Sequence, residues 1–164
     1  MKIFLELVVG VVVAFLIYNC LHYFFVTLPT RRYQLKMKHE VDAEIYKVVK
    51  YFEVEDQREI IQSYVGSQVL SDFWGRGVMV FEYRCVVKDG YEDADLLRSL
   101  LNQKLAEYAV PDGFVDAHEK KTLIVTDCWL NKRVLIFDVA NVVNPATHEY
   151  LSDIDKLNEK ERET

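Results

Sequence analysis

Asp127 and Asp138 are the residues best placed to do chemistry in this chain, because each interrupts an otherwise apolar, β-branched run. Residues 122–130 and 133–142 read as two strands joined at Asn131-Lys132. With those two residues as the loop, Asp127 faces Ile136 and Asp138 faces Val125. The carboxylates then share one sheet face as diagonal neighbours, roughly 5–8 Å apart. Such a pair is a candidate catalytic or metal site, since it could bind a divalent cation or share one proton. The competing structural role is a solvent-facing Asp, or one paired with Arg84, Arg133 or a backbone amide.

Asp116, His118 and Glu119 put three potential ligands in four residues, and in a strand Asp116 and His118 would share a face. A zinc site would want further His or Cys at defined spacing. The other soluble histidines, His39 and His148, are remote in sequence, and His148-Glu149 suits the first turn of a helix. Gly75-x-Gly77 lacks the Lys-Ser/Thr of a phosphate loop, and no Ser sits in a Gly-x-Ser-x-Gly elbow. Cys20, Cys85 and Cys128 are an odd, sparse set and read as reduced thiols, two of them packed in strands. Nothing here calls for a cofactor.

These residues need a scaffold, and the longest pattern in the chain concerns its location. Residues 3–28 form an apolar block broken only by Glu6. A helix over the 22 residues from Leu7 would be about 33 Å long, enough to cross a hydrocarbon core of about 30 Å. Lys2 is the one basic residue before the block, whereas Arg31, Arg32, Lys36 and Lys38 follow it. That asymmetry predicts an uncleaved anchor at 1–28, an amino terminus outside, a basic juxtamembrane neck at 29–38 and a cytoplasmic domain at 39–157 with a charged tail at 158–164. A cleaved signal peptide fits poorly, because the core is too long, the basic cluster follows it, and no small-residue cleavage site is present. Within the block, Gly10 and Ala14 are spaced for close approach of a second helix, as in a homodimer. Asn19 and His22 share a helix face and are the polar residues of a possible bundle. Tyr18, Tyr23, Phe24 and Phe25 suit the inner interface.

Residues 39–164 hold 25 acidic and 15 basic residues, a net charge of −10. That balance argues against nucleic acid as a partner, while the neck is attracted to anionic lipid. Pro29 is expected to end or kink the first helix. A stripe at Val41, Ile45, Val48, Val49 and Phe52 predicts a helix over 39–52. Asp56 and Glu59 resemble a capping box opening a second helix over 56–70. Alternation over 78–88 predicts a strand with Met79, Phe81, Tyr83, Cys85 and Val87 inward. Asp93 opens a helix whose core face is Leu96, Leu97, Leu100, Leu101 and Leu105. A short strand at 114–118 and the hairpin follow, and Asn144-Pro145 opens a last helix. The expectation is an α+β domain: a mostly antiparallel sheet of about four strands packed with about four helices on one face.

With no catalytic signature, ten tyrosines and an acidic domain behind an anchor, the chain reads as a membrane-tethered protein-interaction or scaffold module with an unidentified protein partner. The rivals are a tethered metal-dependent hydrolase centred on Asp127 and Asp138, and an accessory subunit of a membrane assembly.

Overall fold

The computed structural model describes residues 2–56, 59–70, 77–116 and 120–162. The chain divides into two compact units, residues 1–36 and 37–164. The first unit holds α1 (Lys2–His22), a π-helical turn (Tyr23–Thr27) and the start of α2 (Leu28–Lys50). In the π turn the Leu28 N–H reaches Tyr23 O, five residues back. Thr30 Oγ1 donates to Val26 O at 2.8 Å. The helix therefore does not end at Pro29: the widened turn ahead of it accommodates a ring that has no N–H to give. By length and composition, one helix among the described residues could cross a membrane, and none of its most apolar 18-residue stretch is buried.

In the second unit, α2 buries Val41, Ile45 and Val48, with Val49 and Phe52 behind them, as their spacing requires. A second π turn (Tyr51–Glu55) ends it, with Asp56 N–H donating to Tyr51 O at 2.9 Å. The expected helix over 56–70 is instead a strand, β1 (Ile61–Val69). Its β-branched and aromatic residues favour a pleated surface, and Gly66 disfavours a helix interior by about 1 kcal/mol. Glu59 turns the chain at φ 48°, its N–H donating to Asp56 O at 2.9 Å.

Four strands form one antiparallel sheet: β1, β2 (Val80–Val87), β3 (Leu123–Asn131) and β4 (Val134–Asn141), in spatial order β1-β2-β4-β3. Two hairpins thus meet along β2 and β4, and α3 (Ala94–Ala109) crosses between them. On one face Phe81, Tyr83, Cys85, Phe137 and Val139 pack with α2 and with Leu97, Leu101 and Leu105 of α3. On the other, Val80, Ala140 and Ile124 pack under Ala146, Tyr150, Leu151 and Ile154 of α4 (Pro145–Arg162). The fold is α+β, as expected. Among the described residues three helices accompany the sheet, where about four were expected, and they lie on both faces because β2 and β4 carry apolar residues at alternate positions on each side near one end.

Asp93 caps α3 by accepting from Leu96 N–H at 2.9 Å, and Asn144 caps α4 by accepting from Thr147 N–H at 2.9 Å. Leu96, expected inward, is 48% exposed, and Leu100 is only partly buried. The expected strand at 114–118 reduces to one bridge between Val115 and Lys121, with residues 117–119 outside those described.

Candidate functional site

The β3–β4 hairpin turns at Lys132-Arg133, one residue later than the Asn131-Lys132 loop expected from sequence. Lys132 takes φ 56° there. The later turn moves the cross-strand partners of residues 127–131 by two positions. Asp127 consequently stands directly opposite Asp138, not diagonal to it. Directly opposed Cβ atoms in an antiparallel pair lie about 4.5–5.5 Å apart.

A second device sets the face. The register slips between Val125 and Asp127, leaving Thr126 as the extra residue of a β-bulge. Before the bulge, Leu123 and Val125 point to the α2–α3 core; after it, Cys128 and Leu130 do. The bulge thereby turns Asp127 out onto the α4 face, where Asp138 already lies. Thr126 Oγ1 donates to Asp138 O at 3.3 Å, tying the bulge to β4.

The pair has a third member that the sequence reading passed over. Glu82 of β2 is registered against Asp138, and Gln68 of β1 against Glu82. The order across the sheet is thus Gln68–Glu82–Asp138–Asp127. Glu82 lies on the side of β2 opposite Phe81 and Tyr83; only the β2–β4 pairing, which is non-local, puts it beside Asp138. Glu82 Oε1 accepts from Arg84 Nε at 2.7 Å and from Gln68 Nε2 at 3.0 Å, with Arg84 Nη2 at 2.6 Å. Asp127 Oδ1 accepts from its neighbour, Cys128 N–H, at 2.8 Å. Arg133 is committed elsewhere, to Asp89 and Gln62.

Asp138 alone in the row lacks such support. Its residue is 6% exposed, and its Oδ1 has no hydrogen-bond partner. Burial, then the charges of Glu82 and Asp127, push its carboxyl up to about 7. Tyr150 of α4 closes over this row; burial pushes its phenol up to about 12. Cys128 is also held as a thiol, pushed up to about 12 mainly by burial. The row can therefore hold and release a proton near neutral pH, but it offers no activated nucleophile. Among the described residues, no group of three His, Cys, Asp or Glu is arranged to hold a metal ion.

The other candidates fall apart from this row. Asp116 Oδ1 accepts from Lys120 N–H at 2.9 Å, and His118 and Glu119 lie outside the described residues. His39 is exposed on α2, and His148 is exposed on the first turn of α4. On α1, Gly10 and Ala14 are exposed, and a Cβ added at Gly10 would meet nothing within 4 Å. Asn19 Nδ2 donates to Phe15 O at 2.8 Å in its own helix, and the His22 ring lies 5.9 Å from that of Tyr18. Arg31, Arg32 and Lys36 are exposed. Lys38, expected at a membrane surface, donates to Asp42 Oδ2 at 2.6 Å and to Ser67 Oγ at 2.5 Å. Comparison of this chain with protein-family models, with curated proteins and with solved structures gives no match.

Proposed function

We propose that this is a single-pass membrane-anchored protein whose acidic cytoplasmic domain binds another protein. The observation that carries the reading is the first helix. Its most apolar stretch has no buried residue, and Phe4, Leu7, Val11, Phe15 and Leu16 are each more than 60% exposed. An apolar surface of that extent is stable in lipid, not in water. The excess of Arg31, Arg32, Lys36 and Lys38 over Lys2 supports an amino terminus outside, with Arg31 and Arg32 available to lipid headgroups. The domain behind it offers a well-packed scaffold with carboxylates on one sheet face and no activated nucleophile among its described groups.

The test begins with topology. A cysteine introduced as Thr164→Cys should resist a membrane-impermeant maleimide in intact cells and react after lysis; labelling in intact cells overturns the orientation. Affinity capture from solubilised membranes should then recover a partner that depends on the domain. Recovery that survives its deletion but not exchange of α1 would favour the accessory-subunit reading, with Asn19 and His22 as contacts. A second reading, the tethered hydrolase, is favoured only by the Glu82–Asp138–Asp127 row. It requires the wild type to melt higher in millimolar Mg²⁺, Mn²⁺ or Ca²⁺, and the shift to vanish in both Asp127→Asn and Asp138→Asn.

A further inference from the structure

The carboxylate row divides its sheet face in two. On one side α4 covers Val80, Ala140 and Ile124. On the other the register sets Arg84, Ile136 and Trp129 side by side, then Val86, Val134 and Asn131. Gly66 and Ser63 of β1 stand beside Arg84 and Val86 and add little side chain. Trp129 is 37% exposed, and Ile136, Val134 and Val86 are only half-buried. This second half of the face is a largely apolar strip, two rows deep.

Charge gives the strip a direction. On its near border Asp127 is exposed, and no cation pairs with it among the described residues. At its far border, past Val86 and Val134, come Lys88, Lys132 and Arg133. Lys88 and Arg133 form exposed pairs with Glu59 and Asp89, which are worth little in water. Lys132, at the hairpin turn, is exposed and has no acid partner among the described residues. Between the borders Arg84 is neutralised by Glu82, its Nη2 lying 2.6 Å from Oε1.

A strip with an acid on one border and a base on the other is its own complement. A two-fold axis along the line Cys85–Leu135–Leu130 runs between the two rows and exchanges them. It lays Trp129 and Ile136 of one copy over Asn131 and Val134 of the other. It also brings Asp127 of each copy to the turn that holds Lys132 of the other. The domain's charge of −10 opposes self-association through most of its surface. Charges more than about 8 Å away are screened at physiological salt, and within the strip acid and base balance. Four strands about 4.8 Å apart and two rows about 7 Å deep give roughly 270 Å² per copy, well under the about 800 Å² of a standard interface. Such a dimer is weak in solution and forms where an anchor confines both copies to one membrane.

We propose that a second copy of this chain docks on this strip, Asp127 of each copy pairing with Lys132 of the other. The confinement rests on the anchored reading above; the complementarity of the strip does not.

The test is zero-length carbodiimide crosslinking of the full chain in vesicles of zwitterionic lipid, with the Asp127–Lys132 amide of the covalent dimer identified by mass spectrometry. Wild type should give that amide. Asp127→Asn alone and Lys132→Gln alone should each give none. An equimolar mixture of the two should restore about a quarter of the wild-type yield, since about half the pairs are mixed and each keeps one of its two bonds. Trp129→Glu, which leaves both reacting groups in place, should cut the yield at least about tenfold by placing a charge in the apolar contact. Wild-type chain that floats with the vesicles and resists carbonate extraction, yet gives no amide, overturns the dimer. No product in the mixture, or an undiminished yield in Trp129→Glu, overturns it as well. A chain that fails to float overturns the anchor, and with it the confinement that so small an interface needs.

Discussion

Replacing Asp138 with Asn removes a charge that the fold disfavours, and its effect on stability follows from the carboxylate row. An ordinary aspartate titrates near 3.9, whereas burial and the charges of Glu82 and Asp127 hold Asp138 up at about 7. The folded state thus binds this proton more tightly than the unfolded chain does. The stabilisation is fully present below about pH 4 and is lost as pH rises through about 7. The gap between the two values corresponds to about 4 kcal/mol, and access of water beside the exposed Asp127 reduces that to about 2–4 kcal/mol. Asn mimics the neutral acid in shape and never ionises. At pH 5 the unfolded aspartate is already largely ionised, so the variant should lead by about 1–1.5 kcal/mol, give or take about 1 kcal/mol for the altered hydrogen-bonding group. By pH 8 the variant should have gained about 2–4 kcal/mol on the wild type.

The assay is urea unfolding of the full chain in detergent, followed by tryptophan fluorescence, at half-unit steps from pH 5 to pH 8. The difference between the two proteins is the quantity to plot, because the opposite pH trend of Glu107 and Asp112, whose carboxyls are held low by Lys104 and Lys47, cancels in it. A difference that stays flat within about 0.5 kcal/mol over that range refutes the argument, since it means that Asp138 is ionised in the fold at little cost.

Asp127→Asn should lower the Asp138 midpoint but not restore it to the ordinary range, because burial is the larger cause and Glu82 remains; ¹³C-carboxyl NMR against pH reads this directly. Leu101→Ala should destabilise the domain by about 2–5 kcal/mol, whereas Leu96→Ala should change it by no more than about 0.5 kcal/mol in urea unfolding, since the first is 3% and the second 48% exposed. Asn102→Ala should cost about 1–3 kcal/mol, with faster amide exchange at Val125, because the Asn102 amide takes both backbone groups of that edge residue, accepting from Val125 N–H at 2.9 Å and donating to Val125 O at 3.1 Å.

Local chemistry made most of the fold readable. Val41, Ile45, Val48, Val49 and Phe52 repeat at helical spacing and are all buried. Alternation located β2, and Asp93 and Asn144 cap the helices that their chemistry predicted. Residues 56–70 misled because four apolar residues, Ile60, Ile61, Tyr64 and Val65, fit a helical stripe and an irregular strand equally well. The strand bends at two register shifts, between Ile61 and Ser63 and between Tyr64 and Gly66, which erase the two-residue period. Its pairing with β2 decides the matter, and no local pattern contains that pairing. Leu96 likewise belongs to a leucine-rich run whose core stripe is narrower than the run itself: Leu97, Leu101, Leu105 and Ala109 are buried.

The carboxylate row was legible as a pair and not as a row, for a physical reason. Asp127 and Asp138 stand out because each breaks an apolar run, and a hairpin brings them together whatever its register. Their relation depends on two details worth one residue each. The turn falls at Lys132-Arg133, where Lys132 accepts a left-handed conformation without the Gly that usually marks such a turn. The bulge at Thr126 then reverses the inside–outside sense of the strand. Had β3 kept the alternation of Leu123 and Val125, Asp127 would point into the apolar core, beside Phe137 and Val139, where an unpaired carboxylate is strongly disfavoured. The two Asp side chains therefore select the bulge as much as the bulge positions them. The β2–β4 pairing then adds Glu82, which Gln68 and Arg84 hold as a hydrogen-bonded carboxylate. With Asp127 also held by a backbone amide, the cost of crowding three acids falls on Asp138, the buried one, and the proton it keeps near neutral pH is how the sheet relieves it.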